Sequence, residues 1–136
     1  KEVFEFVANN SNVEWSYIKY KEDENILGAQ AQVGTTHSIR YEEAGGQIII
    51  NLLESRVGES VNIIEDIHNH PDTGNKSMPS GFAPEDLHTI NGTGDKNMVK
   101  RVKEFYPLQT KLTVYKVYDV YSKEYIRYDE TKIYGE

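Results

Sequence analysis

Ile63-Ile64-Glu65-Asp66-Ile67-His68-Asn69-His70-Pro71 carries an apolar run into two histidines two residues apart, and a proline closes it. Side chains on an extended strand repeat every second residue, so His68 and His70 share a face. Two imidazoles side by side where a strand gives way to a loop make half of a transition-metal site. Zinc accepts neutral histidine nitrogens and carboxylate oxygens, and a catalytic zinc keeps one position open for water. His-x-His also arises on strands by chance, so the pair needs partners elsewhere in the chain. Within the same run, Glu65 and Asp66 are rival carboxylates. Asp66 lies on the His68 face and could orient an imidazole from behind.

The chain has 136 residues, enough for one domain with a modest core. Ten tyrosines against four phenylalanines suggest strands whose rings are half-buried with wet hydroxyls. The net charge of -7 argues against nucleic acid, which demands a basic footprint. Lys100-Arg101-Val102-Lys103 is the one basic run and reads as the solvated face of a helix. No apolar stretch reaches membrane-spanning length, and no signal peptide is visible. Cysteine is absent, which removes disulfides and thiolate ligands and leaves the compartment open. A lysine at position 1 suggests a piece of a longer protein.

Read from the start, residues 1–9 form a short helix with Val3, Phe6 and Val7 on one face and Glu2 and Glu5 near its positive end. Residues 13–20 alternate as a strand, with Val13, Trp15, Tyr17 and Lys19 on one side. Glu14, Ser16, Ile18 and Tyr20 take the other, so Glu14 opens an otherwise apolar or aromatic strand. A hairpin partner follows over about 26–33. Residues 47–53 begin like a strand and turn towards helix. The histidine strand spans 61–67. Residues 71–82 hold two prolines, two glycines and several small polar residues, a long loop of the kind that often carries function. Pro84 to Ile90 starts a helix, Asn91 to Asp95 breaks it, and residues 96–106 form another with Met98, Val102 and Phe105 or Tyr106 inward. Residues 111–120 and 125–128 close the chain as two strands. This order predicts an α+β fold, a mixed and mostly antiparallel sheet packed with helices.

Glu14, His68-Asn69-His70-Pro71, Ser80 and Asp86 together resemble the JAMM motif of the JAB/MPN zinc metalloprotease-like domains. That motif is a glutamate on an early strand, then His-x-His-Pro, then a serine and an aspartate. Pro79-Ser80-Gly81-Phe82 followed by Glu85-Asp86-Leu87 looks most like the JAB-like toxin domains at the C-terminal ends of bacterial polymorphic toxins. The resemblance implies a JAB/MPN-like, cytidine-deaminase-like sandwich forming a single JAB-like metallopeptidase domain over 1–136. It implies zinc on His68, His70 and Asp86, with Glu14 as proton carrier and Ser80 either as oxyanion donor or as the group that fixes the metal-bound water. One departure stands out. The common spacing leaves two residues between the serine and the aspartate, which would fall at position 83, an alanine here. Glu85 and His88 are therefore alternatives to Asp86.

The chemistry follows from the residue types. Two histidines and a carboxylate leave a zinc site at net +1, and zinc lowers the pKa of bound water to roughly 7. Glu14 can pass a proton from water to a leaving amine. The function so implied is hydrolysis of a peptide or isopeptide bond by the toxin module of a secreted bacterial effector, working in the target-cell cytoplasm. Its partners would be a protein or peptide substrate and an immunity protein, with no nucleic acid and no membrane span. Two other functions compete: an inactive MPN-type binding or scaffold module, and a metal-dependent hydrolase of nucleotides or other small molecules. His37 reads as ordinary surface. Asn91 to Lys96 lacks the spacing of a phosphate loop, and the Asn-x-Ser/Thr matches at Asn9, Asn75 and Asn91 carry no weight.

Overall fold

In the computed structural model, residues 1–11, 13–22, 30–34 and 61–135 are described. They form α1 (Glu2–Asn9), β1 (Ser16–Glu22), β2 (Gln30–Gly34), β3 (Val61–His70), α2 (Leu87–Asn91), α3 (Gly94–Phe105), β4 (Val114–Asp119) and β5 (Glu124–Tyr128). The strands make one sheet in the order β2-β1-β3-β4-β5. Every neighbouring pair is antiparallel except β3–β4, which run parallel. The fold is thus α+β with a mixed, mostly antiparallel sheet. The expected element at 47–53, His37 and the first residues of the expected hairpin partner lie outside the described residues.

β3 is the middle strand, and its burial shows how the site is aimed. Val61, Ile63, Glu65 and Ile67 are all buried, which on a regular strand would place them on one face. The register against β1 slips between Lys19 and Tyr20, leaving Ile64 as an extra residue on β3. A bulge of this kind reverses the alternation. Val61 and Ile63 therefore pack with Ile18, Tyr20 and Val102 beneath α3. Beyond the bulge, Ile67 packs on the opposite side with Phe4, Ala8, Tyr17 and Tyr118 beneath α1. Asp66, His68 and His70 consequently face α3.

One expected helix face is corrected and another is borne out. On α1 the buried pair is Phe4 and Ala8, one turn apart, while Val3 and Phe6 are 66% and 67% exposed. The Phe4 ring lies 6.2 Å from that of Tyr17 and 5.9 Å from that of Tyr118, so an aromatic socket selects Phe4. On α3 the expected face is met: Val102 is buried with Met98 and Tyr106 packed on the same cluster, Phe105 is 71% exposed, and Gly94 and Val99 are buried as well. Strand β1 begins at Ser16, after Glu14, and residues 13–15 are held by Asn69, whose backbone N–H donates to the Trp15 carbonyl at 3.2 Å. Asn69 is fully buried, accepts from the Trp15 N–H through Oδ1 and donates from Nδ2 to the Val13 carbonyl at 3.2 Å.

Candidate metal centre and cleft

His68 and His70 leave the end of β3 with both Nε2 atoms directed to one point, 3.3 Å apart. The acid that meets them is Asp95, in the first turn of α3, with Oδ1 2.9 Å from His68 Nε2 and Oδ2 3.1 Å from His70 Nε2. These ligand atoms lie within 4.8 Å of one another. Zinc bonds of about 2.0–2.1 Å in tetrahedral geometry set ligand atoms roughly 3.3 Å apart. Two imidazole nitrogens and one carboxylate oxygen at this spacing fit a zinc ion, with a fourth position open.

Asp86, the aspartate expected at this point, is engaged elsewhere. It caps α2, Oδ1 accepting from the His88 N–H and Oδ2 from the Gly81 N–H, both at 2.9 Å. Those two backbone bonds hold its carboxyl below the usual range. It lines the cleft but does not join the two histidines. Of its alternatives, Glu85 is exposed, and His88 faces the cleft with Nδ1 3.1 Å from the Thr93 hydroxyl.

Ser80 and Asp95 stand as neighbours across residues 81–94. The Asp95 N–H donates to Ser80 Oγ at 2.9 Å, and the Ser80 N–H donates to Asp95 Oδ2 at 2.8 Å. Lys96 N–H adds a bond to the Ser80 carbonyl at 3.2 Å. This reciprocal arrangement is what a capping box does at a helix start, here made by a serine from outside the helix. Residues 81–94 are thus an excursion inserted where the common motif has two residues. Gly94 closes it at φ +88°, and a Cβ there would lie 2.8 Å from both His88 Cβ and Ser80 Oγ.

The remaining groups orient the site. His70 Nδ1 lies 3.1 Å from Ser77 Oγ, which turns its other nitrogen toward Asp95. Ser77 is held in turn by the buried Asp119, which accepts its N–H at 3.3 Å. Glu14 lines the same cleft. Burial raises its pKa, the two histidines oppose that shift and Asp95 adds to it. Asn69 bonds the backbone on either side of Glu14 and fixes where its side chain starts. Without an ion among them, His68 is desolvated, yet the Asp95 carboxylate drives its pKa up to about 9. Burial pushes Asp95 upward as well, and the two imidazoles overcome this, holding it well below the normal range. Asp66 is raised to about 7 by burial, and no hydrogen bond joins it to either imidazole ring.

Asp95 and Ser77 escaped the sequence reading. Asp95 carried one signal: it opens the longer helix, the one with an apolar face to lay on the sheet. Ser77 carried none. Among curated proteins and among solved structures, nothing matches this chain. The family model described as JAB-like toxin 1 matches residues 1–100, a span holding Glu14, both histidines, Ser80 and Asp95. By that match over most of its length, the chain belongs to the JAB-like toxin family.

Proposed function

We propose that this domain is a zinc-dependent hydrolase of peptide or isopeptide bonds, the toxin module of a secreted bacterial effector that acts in the target-cell cytoplasm. The observation that carries this reading is the convergence of His68, His70 and Asp95 in one open cleft with Glu14 and Ser80. A zinc ion held by the first three would polarise a carbonyl and acidify a water. Glu14, with its pKa raised by burial, is suited to take a proton from water and return it to a departing amine. The Ser80 oxygen accepts from Asp95 N–H, which leaves the hydroxyl proton to donate to a developing oxyanion. Asn69 keeps Glu14 in register with the histidines, and Ser77 keeps the His70 ring turned. A protein or peptide is the substrate, and an immunity protein in the producing cell is the partner such a module requires.

The test is Glu14→Gln, an isostere that cannot accept the proton. Zinc content and melting temperature should stay near wild type, while growth inhibition on cytoplasmic expression and proteolysis fall by about 10²–10⁴-fold. His68→Ala and His70→Ala should lose the metal. Full toxicity in Glu14→Gln, or equal zinc in all three variants, would remove the hydrolase reading.

A further inference from the structure

Asp66 occupies a position where a sheet normally presents an apolar side chain to a helix. It lies on the middle strand between Ile18 and Tyr115, on the face that α3 covers. No hydrogen bond or ion pair to its carboxylate is formed among the described residues. The residue is half-buried and lines the cleft, so its carboxylate is open to a group that enters there.

Asp66 and the metal centre line one cleft. It encloses about 800 Å³, and its inner wall is made by Phe82, Met98, Val99, Val102, Tyr115 and Tyr128. Val99, Val102 and Tyr115 are almost wholly buried, so the wall belongs to the core itself. The Phe82, Tyr128 and Tyr115 rings follow one another at 6.3 Å, forming a continuous aromatic side. Among the described residues no lysine or arginine lines the cleft, while Glu14, Asp66, Asp86 and Asp95 all do. A bound divalent ion would offset two of those four charges. What remains is a cleft with an aromatic side and the Asp66 carboxylate in its lining.

The geometry points to a specificity pocket for a long basic side chain. We propose that the substrate residue beside the scissile bond is a lysine or arginine, its methylenes against the aromatic wall and its cation on Asp66. One two-residue strand repeat, about 7 Å, separates Asp66 from His68, comparable to the reach of an extended lysine side chain. Aromatic walls suit such a stem because they also attract the cation. Asp66 is then a specificity-determining residue and takes no part in proton transfer. This rests on the hydrolase reading for its substrate, but the pocket can be probed without turnover.

Two measurements test it. The zinc-loaded domain is given a peptide library in which single positions are fixed as lysine, arginine, norleucine, alanine or glutamate. Separately, protonated n-butylamine and n-butylguanidinium are titrated into Glu14→Gln and into Glu14→Gln/Asp66→Asn, with binding followed by NMR shifts of the Val99 and Val102 methyls. The expected result is cleavage next to lysine or arginine, and a basic-over-norleucine ratio that falls about tenfold or more in Asp66→Asn. Amine binding should shift the valine methyls and disappear in the Asp66→Asn background, with zinc content retained. Cleavage that ignores basic residues, or cation binding indifferent to Asp66, overturns the pocket and leaves the hydrolase reading standing. No cleavage of any peptide together with Asp66-dependent cation binding keeps the pocket and counts against the hydrolase. The wild-type preference and the binding of cations to Glu14→Gln hold as tests even if Asp66→Asn fails to fold.

Discussion

Asp95 has both carboxylate oxygens committed before any ion arrives, one to each histidine, with the Ser80 N–H on the second. Asp95→Asn should therefore weaken zinc binding by more than about 100-fold, beyond the 10–100-fold typical of groups outside the ligand set. Asp86→Ala should keep the zinc and lose about 1 kcal/mol, the usual cost of a missing helix cap. Chelator competition and urea unfolding on the two variants check this; the reverse pattern would return the ligand to Asp86. The same pair sets a pH dependence. His68 has its pKa raised to about 9 in the folded, metal-free protein, against roughly 6.5 unfolded. Its contribution to stability is thus complete below about 6.5 and lost as pH rises through about 9. Asp66, raised to about 7, acts with the same sign at lower pH, between roughly 4 and 7. Melting of the metal-free domain should fall from pH 6.5 to 9, and Asp95→Asn should flatten that slope. Zinc affinity should rise over the same interval, because the metal needs His68 without its proton. At this scale His68, His70, Glu14 and Ser80 were legible in the sequence as candidates, since a two-residue strand repeat and a family motif mark them. Asp95 was not, because two helix starts each carry an aspartate and only tertiary packing distinguishes them.

Among the elements, α3 does most to assemble the cleft, and its start is the weak joint. Gly94 has φ +88°, and any Cβ would press on both His88 and Ser80 at 2.8 Å. Gly94→Ala should cost on the order of 2–4 kcal/mol, combining left-handed strain with overpacking. It should also loosen zinc by parting Ser80 from Asp95. Gly74 has φ +85° but open space around it, so Gly74→Ala should cost only about 1–2 kcal/mol and spare the metal. Thermal melts with zinc titrations on both variants separate strain from loss of the site. The apolar spacing of α3 made both the helix and its inward side, Met98, Val102 and Tyr106, readable, whereas the inward side of α1 was not. Phe4 and Ala8 displaced Val3 and Phe6 on α1 because Tyr17 and Tyr118 form the socket, and neither tyrosine is near in sequence. A short amphipathic pattern offers competing faces, and the partner surface chooses between them.

Across the whole molecule, the α+β class and the alternation of β1 followed from the sequence, while the parallel pairing of β3 with β4 did not. Strand-rich stretches at 61–70 and 114–119 look alike whichever way they run, and a crossover is decided by what lies between them. Here that connection carries Ser77, Ser80, Asp95 and all of α3. Parallel pairing brings the ends of β3 and β4 together, His70 opposite Asp119. That placement lets Asp119 hold the loop bearing Ser77. Its consequence lies in the order of events during folding. A parallel crossover cannot close early, since a long chain segment must be ordered before its contacts form. The hairpin of β4 and β5 can appear first, and the ligand triad only when the crossover docks. In stopped-flow refolding, zinc uptake should therefore lag behind the bulk of the secondary structure, and simultaneous appearance would contradict this sequence. A chain released half-folded would carry every residue of the motif and no assembled site, so the activity proposed for it would begin only with the finished fold.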